Sequence, residues 1–371
     1  MKIAFTFLTF GKNIFAGMEN SLYQLCKGIN ESGHEAIVFT SCNYGKEKIV
    51  DGITVYRSKY LPTDFTGGDS ALKRRILENK NLITTDFLNF IETEKPDYIV
   101  SWDPLWGFIQ YLGIHKFVDT PIVLFFRVVN SMRILQETKK NFFNKYFALS
   151  VFLKEGILKK GIVSDIEIIP NSIDYNFITK NAERHKREKI ILCNARLSPE
   201  KGISYAVKAF AKVIKQHPEF KLWLCSGEFP FGDVNRTKQK IIWLIKKLKI
   251  ENEVLFLPNI DWDKIPDVIG QAYISILPSL AETFGRSALE SLAVGTPIIS
   301  TTVGNLSNLI GADGILVEPK SSEQIYINLI KLIEDEEFYN SYLGKGKNRA
   351  KQFDRKVIAK LFIKSLNKIK K

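Results

Sequence analysis

Several features that mark common protein classes are scarce or missing in this chain. Its 371 residues include four cysteines, at positions 26, 42, 193 and 225, with no C-x-x-C spacing. That argues against a zinc site and against a disulfide framework, and favours a reducing, cytoplasmic compartment. Cys193 and Cys225 lie in apolar, strand-like runs and are expected to be plain core residues. No stretch approaches the 18 or so uninterrupted apolar residues of a membrane span. Short repeats and low-complexity tracts are absent. With 45% hydrophobic and 25% charged residues the composition excludes intrinsic disorder. The first ten residues have the lysine and short apolar core of a signal peptide but run into Gly11-Lys12-Asn13 without a small-residue cleavage site. A buried first strand is the expectation.

Acidic residues are scarce in one region. The net charge is +13, and from Ser341 to Lys371 eleven Lys or Arg face Asp354 alone, a surplus of ten. The remaining body is close to neutral, so no nucleic-acid partner is expected. Within the tail, Val357, Ile358, Leu361, Phe362, Leu366 and Ile369 form an apolar stripe, while Lys356, Lys360, Lys364 and Lys368 recur every fourth residue. Such a basic amphipathic helix can lie on an anionic membrane surface, peripheral to the cytoplasmic face, or bury its stripe against the rest of the chain. One helix can do both if its lysines stay exposed.

What the chain does have is alternation. Residues 2–9, 35–40, 98–101, 121–126 and 167–169 read as short β-rich runs, and 18–32, 71–94 and 151–160 carry helical spacing between them. A second series follows. Its strands fall at 189–194, 220–226, 254–257, 272–277, 297–301 and 314–317, and its helices at 199–216, 238–249 and 285–294. Repeated βαβ units imply parallel sheets covered on both faces. At roughly 100–200 residues per domain the length fits two of them. The expected fold is α/β, with two Rossmann-like, doubly wound domains facing a central cleft. Residues 1–174 form the first, 175–345 the second, and 346–371 the basic helix; the polar stretch 179–188 reads as the linker. Ligands are expected at the carboxyl ends of the strands.

The most informative segment runs from Leu277 to Pro297. A strand ends at Pro278, a loop carries Glu282, and a helix starts near Gly285 and stops at Gly295. The amides around Phe284, Gly285 and Arg286 would be unpaired donors at the positive end of a helix dipole, suited to a diphosphate. Glu290, on the same helix, can accept two ribose hydroxyls, and Glu282 can take hydroxyls from another part of the same ligand. The alternative is that Glu290 pairs with Arg286 at i, i+4 and that Glu282 caps the helix.

Glu282-x7-Glu290, with Phe284-Gly285 inside it and Gly295-Thr296-Pro297 after it, resembles the donor-binding motif of the retaining GT-B glycosyltransferases of family four, group 1. Three further blocks agree in order along the chain. Residues 194–202 (Asn-Ala-Arg-Leu-Ser-Pro-Glu-Lys-Gly) are similar to the family's strand–loop–helix segment, which implies that Arg196 and Lys201 neutralise the leaving nucleoside diphosphate. Ile169-Pro170-Asn171-Ser172-Ile173-Asp174 resembles the hinge turn, with Ser172 for the usual Gly. Ala16-Gly17-Met18-Glu19 stands where the family has a Gly-Gly turn, which places Gly17 with the donor-binding residues.

The resemblance implies transfer of a sugar from a nucleotide donor, UDP- or GDP-linked, to a hydroxyl of a glycan or lipid-linked acceptor, with retention of configuration. Catalytic roles fall to Arg196, Lys201 and Glu282, and donor binding to Gly17, Phe284, Gly285, Arg286 and Glu290. The family works without a metal or separate cofactor, and its last helix crosses back to the first domain. Its proposed mechanism is front-face attack aided by the departing phosphate. Two positions depart from the pattern. Arg127 stands near the place of a family His and cannot act as a base near neutral pH; it would suit an anionic partner or a structural ion pair. The other is the loop Val303-Gly304-Asn305-Leu306-Ser307-Asn308, which has Asn where the family often has Gly and then Glu, Asn308 among them. A nucleotide-sugar epimerase on the same fold, or a catalytically silent binding subunit, are the rival readings. Asp261-Trp262-Asp263 matches a D-x-D metal motif but is expected to cap a short helix.

Overall fold

The runs that read as continuously apolar form the centres of two parallel sheets, as strands buried on both faces must. The computed structural model describes residues 1–11, 17–42, 45–128, 142–161, 163, 165–226, 234–258 and 260–369. The chain divides into two units. The first combines Met1–Ser172 with Arg355–Lys371, and the second is Ile173–Asp354.

In the first unit the strands are β1 (Lys2–Thr6), β2 (Glu35–Ser41), β3 (Ile49–Val50), β4 (Ile53–Ser58), β5 (Tyr98–Ser101), β6 (Ile122–Phe126), β7 (Lys145–Ala148) and β8 (Glu167–Ile168). They lie in the order β3-β4-β2-β1-β5-β6-β7-β8, all parallel except the β3–β4 pair. The second unit holds β9 (Ile190–Asn194), β10 (Lys221–Ser226), β11 (Val254–Pro258), β12 (Ile274–Leu277), β13 (Ile298–Thr301) and β14 (Ile315–Val317). Their order, β11-β10-β9-β12-β13-β14, is that of a Rossmann sheet, with every pairing parallel.

Three strands escape the sequence reading: β3, β4 and β7. Ile53-Thr54-Val55-Tyr56-Arg57-Ser58 is short, and its second-face residues Thr54 and Tyr56 are only partly covered or exposed, so its apolar signal is weak. The expected helix over 71–94 is two helices, Gly68–Glu78 and Lys80–Glu94, broken at Asn79 where the backbone leaves helical geometry (φ −102°, ψ 12°).

The linker expected at 179–188 is a correction. A helix spans Tyr175–Ala182, capped by the Asp174 side chain on the Phe177 amide at 3.0 Å. It packs on the helices Ile265–Gln271 and Arg286–Val294. Gly270 permits that approach, since a β-carbon there would press on the backbone of Ala182. Arg187 donates to the Ala272 carbonyl and to Thr296 Oγ1, both at 2.7 Å. The polar composition of this stretch serves caps and buried bonds within the second unit. The end of that unit also shifts, from the expected 345 to Asp354. The helix Lys347–Lys351 packs on Arg286–Val294, with Gly346 against Leu292.

The C-terminal helix Arg355–Leu366 belongs to the first unit and packs on the helix Gly17–Glu31. Close approach is set by Gly28, where a β-carbon would collide with the Arg355 carbonyl. Phe362 is fully buried, with its ring 6.0 Å from Phe5, 5.6 Å from Phe125 and 5.5 Å from Phe147. The buried face is Ile358, Ala359, Phe362, Ile363 and Leu366, and Val357 and Leu361 of the expected stripe are instead 48% and 38% exposed. At 100° per residue those two positions fall beside the lysines, beyond the packed arc.

Glu167 anchors the end of this helix. It accepts from Ser365 Oγ at 2.6 Å and from Lys368 Nζ at 3.1 Å, and pairs with Lys145 at 3.0 Å. Burial opposes its charge, but the bonds from Ser365, Lys145 and Lys368 outweigh that and hold its carboxyl down at about 2. A carboxyl whose folded pKa is depressed stabilises the fold above its unfolded value, near 4.5, and loses that contribution as pH falls through about 2. The stability gap between the parent protein and Glu167→Gln, measured by urea unfolding, is therefore expected to narrow steadily from about pH 5 downward. A gap constant across that window would show that the ionised anchor contributes nothing.

Candidate functional site

In the second unit the strand order reverses between β9 and β12. Chains leaving adjacent strands there turn to opposite sides and leave a crevice at the strand carboxyl ends. The loop after β9 carries Arg196 and Lys201, and the loop after β12 carries Glu282. The two are laced together by backbone. The Glu200 carbonyl accepts from Leu280 N at 2.7 Å and from Ala281 N at 3.3 Å. Gly202, at φ 61°, passes so close to Pro278 that a β-carbon would collide with its carbonyl oxygen. Only glycine satisfies both demands.

Lys201 Nζ donates to Glu282 Oε2 at 2.6 Å, and the side chains are 15% and 14% exposed. A partly buried ammonium with one carboxylate partner keeps further N–H donors for a ligand. Arg196 is more open, 53% exposed, with Nη2 3.5 Å from Glu200 Oε1. Burial works against the charge of Glu200, but bonds from the Ser198 hydroxyl and its own backbone outweigh it, and its carboxyl lies below the ordinary range.

The helix Arg286–Val294 begins at Gly285, which sits at φ 100° and offers no side-chain cap. Among the described residues its first-turn amides take no side-chain cap and can meet solvent or a ligand, whereas Phe284 N just ahead of it donates to Glu282 Oε1 at 3.5 Å. Phe284 has its side chain buried, edge-on to Phe353 with ring centroids 5.9 Å apart, so only its backbone can face the crevice. Arg286 Nε donates to Glu290 Oε1 at 2.9 Å, with the side chains 17% and 14% exposed. The i, i+4 pairing that the spacing allowed does form, and it holds one oxygen of Glu290. Cys225 lies close by: burial first, and the Glu290 carboxylate second, push its thiol up to about 12. Cys193 is likewise raised to about 12, by burial and then by Cys225. Both thiols are neutral near pH 7 and buried, as expected of core residues.

Glu282 is a loop residue, and its support was missed in the sequence. Gly304, at φ 59°, lies against the Glu282 carbonyl with no room for a β-carbon. Asn305 N donates to that same carbonyl at 3.3 Å, and Asn305 Nδ2 donates to Phe284 O at 3.3 Å. The signal was the Gly304-Asn305 dipeptide itself. Asn308, singled out instead, lies exposed on the short helix Leu306–Ile310.

Two other expected positions, Gly17 and Arg127, belong to the first unit. Gly17 opens its first helix, and among the described residues a β-carbon there meets nothing within 4 Å. Its neighbour Ala16 lies outside the described residues. Arg127 is 2% exposed, donates to Asn171 Oδ1, and stacks over Trp102 with 4.1 Å from guanidinium carbon to ring centroid. Asn171 and Trp102 are thus two of its partners, both neutral. Asp261 and Asp263 are both exposed, and the helix Ile265–Gln271 takes no side-chain cap; Asp261 Oδ2 meets Lys264 Nζ at 3.4 Å. The expected capping does not occur because Lys264 occupies the N-cap. Among the described residues no three His, Cys, Asp or Glu side chains converge as a metal site, and no helix is long and apolar enough to cross a membrane.

Residues 174–349 match the family model described as glycosyl transferases group 1, and residues 15–177 match that of glycosyltransferase family 4. An uncharacterized glycosyltransferase of Methanocaldococcus jannaschii is 23% identical over 94% of this chain and 93% of its own length. The N-acetylgalactosamine-N,N'-diacetylbacillosaminyl-diphospho-undecaprenol 4-alpha-N-acetylgalactosaminyltransferase of Campylobacter jejuni is 26% identical over 75% of each chain. Among solved structures, Anabaena HepE in complex with UDP and glucose superposes with a TM-score of 0.78 at 20% identity, covering 99% of this chain and all of the other. The fold is GT-B.

Gly304→Ala is expected to force the Glu282 loop away from Asn305 and to cost more than about 1 kcal/mol of folding stability, since its positive φ and its contact both resist a β-carbon. Urea unfolding measures this. Unchanged stability would mean the loop relaxes freely and Glu282 is not held in place.

Proposed function

Since the chain belongs to the group 1 glycosyltransferases of family four, we propose that it moves a sugar from a nucleoside-diphosphate donor, UDP- or GDP-linked, to a hydroxyl of a glycan or lipid-linked acceptor, with retention of configuration. The observation that carries this reading is the partly buried Lys201–Glu282 pair, set beside an uncapped helix N-terminus where the strand order reverses. The donor binds the second unit and the acceptor the first. Glu290 accepts the ribose hydroxyls through the oxygen that Arg286 leaves open, and Glu282 accepts hydroxyls of the sugar. Lys201, Arg196 and the amides at Phe284–Arg286 surround the diphosphate. The acceptor oxygen bonds to the anomeric carbon on the face that the phosphate leaves. As the bond from that carbon to the phosphate oxygen breaks, its electrons stay on the diphosphate, and the acceptor proton passes to the departing phosphate. Fixed cations and amide dipoles stabilise this charge, the service a metal ion gives elsewhere, so the reaction needs neither metal nor separate cofactor.

Incubation with a panel of nucleotide sugars and acceptors tests the reading. Release of nucleoside diphosphate should require an acceptor and survive EDTA. Lys201→Ala and Arg196→Ala should each lower kcat/KM by an amount equivalent to about 2–4 kcal/mol. Sugar interconversion without an acceptor would make the protein an epimerase, and activity within threefold of the parent for both variants would sink the charge assignment.

We also propose a peripheral site of action at an anionic membrane face. Support comes from the exposed row Lys356, Lys360, Lys364 and Lys368, with Val357 and Leu361 exposed beside it, and from the printed lipid-linked substrate of the Campylobacter relative. Each Lys near an anionic leaflet is worth about 1 kcal/mol. Co-sedimentation with anionic vesicles should fall with rising salt and weaken when Lys360, Lys364 and Lys368 become Gln. Salt-insensitive binding, or none, rejects it.

A further inference from the structure

Arg286 breaks two local rules at once. It is the first residue of the helix Arg286–Val294, where the dipole favours anions and disfavours cations. It also precedes its partner Glu290 by four residues, the less favourable order for such a pair. A surface pair would tolerate this lightly, but both side chains here are more than four-fifths buried. Arg286 Nη1 is buried as well and, among the described residues, has no hydrogen-bond partner. A buried donor left unpaired is destabilising, and a chain that keeps such a conflict does so where function requires it.

The conflict has one structural effect. A lone glutamate side chain moves among many rotamers. With Oε1 held by Arg286 Nε at 2.9 Å, the carboxylate plane is fixed and Oε2 is the oxygen left to receive a ligand. Among the described residues, Oε2 accepts no hydrogen bond. Cys225, in the wall nearby, is neutral and offers no competing charge.

We propose that Arg286 is a positioning residue that orients Glu290 to read ribose hydroxyls, and so makes the site selective for ribonucleotide over deoxyribonucleotide donors. The inference rests on the assignment of Glu290 to the ribose. A site built to bond a hydroxyl rejects the analogue that lacks it, because the buried acceptor is then left unpaired. An acceptor free to turn away rejects it far less.

The test is titration calorimetry of the full chain with UDP and GDP and with their 2′-deoxy and 3′-deoxy counterparts. The parent should favour the ribonucleotide at least tenfold over one deoxy form. Arg286→Met should lower ribonucleotide affinity about tenfold, change deoxynucleotide affinity less than threefold, and so collapse the ratio. Arg286→Lys, which keeps a donor, should restore part of it. Glu290→Gln should collapse the ratio by itself, and Arg286→Met/Glu290→Gln should lose no more. That double variant removes both charges and serves if the single one leaves a bare carboxylate that unfolds the protein. If Arg286→Met weakens both nucleotide types equally, its role is a direct diphosphate contact and the inference fails while the ribose assignment stands. A double variant ten times weaker than Glu290→Gln overturns it in the same way. Should the parent fail to distinguish the nucleotides, the ribose assignment falls and takes the inference with it.

Discussion

The chemistry of the second unit depends on one constraint, the adjacency of β9 and β12. Those strands are far apart in sequence, yet the reversal of strand order between them sends their following loops past each other at a single point. Gly202 meets Pro278 there, and the Glu200 carbonyl bonds two successive amides of the opposite loop. A lysine from one loop thereby reaches a glutamate from the other. Neither residue would be confined without the backbone contact, and an unconfined pair in water is worth little.

Much of this was readable in the sequence. The sheets of the second unit were legible because their strands are apolar throughout and separated by helices of clear period. Lys201, Glu282 and Glu290 were legible through spacing and through resemblance to a family. What escaped notice was support without a chemical signature. Gly304 and Asn305 hold the Glu282 loop by a positive φ and two backbone bonds, which no spacing rule reports. The stretch 179–188 was misread for a related reason. Its polar residues look solvated, but Arg187 and Asn181 spend their hydrogen bonds on backbone carbonyls within the unit. Arg127, a charge beside an apolar run, sets its guanidinium on an amide oxygen and an indole face, contacts that no spacing rule reports.

The crevice also sets charges of both signs side by side. Cations and carboxylates are interleaved, Lys201 with Glu282 and Arg286 with Glu290, so these charges are near balance. Under the proposed function a diphosphate would meet a pattern already ordered. The buried thiols of Cys193 and Cys225 remain protonated and add no charge to this balance.

The first unit is discontinuous in the chain, and that has a consequence for its birth. Phe5, Phe125 and Phe147 close their core around Phe362, which is synthesised only after the whole of the second unit. At about 5–20 residues per second, the 182 residues of the second unit separate the two parts by roughly 10–40 s. Through that interval the nascent first unit carries an unfilled aromatic socket beside Gly28, while the unit made after it already has its whole sequence. The order of synthesis and the order of completion are therefore reversed.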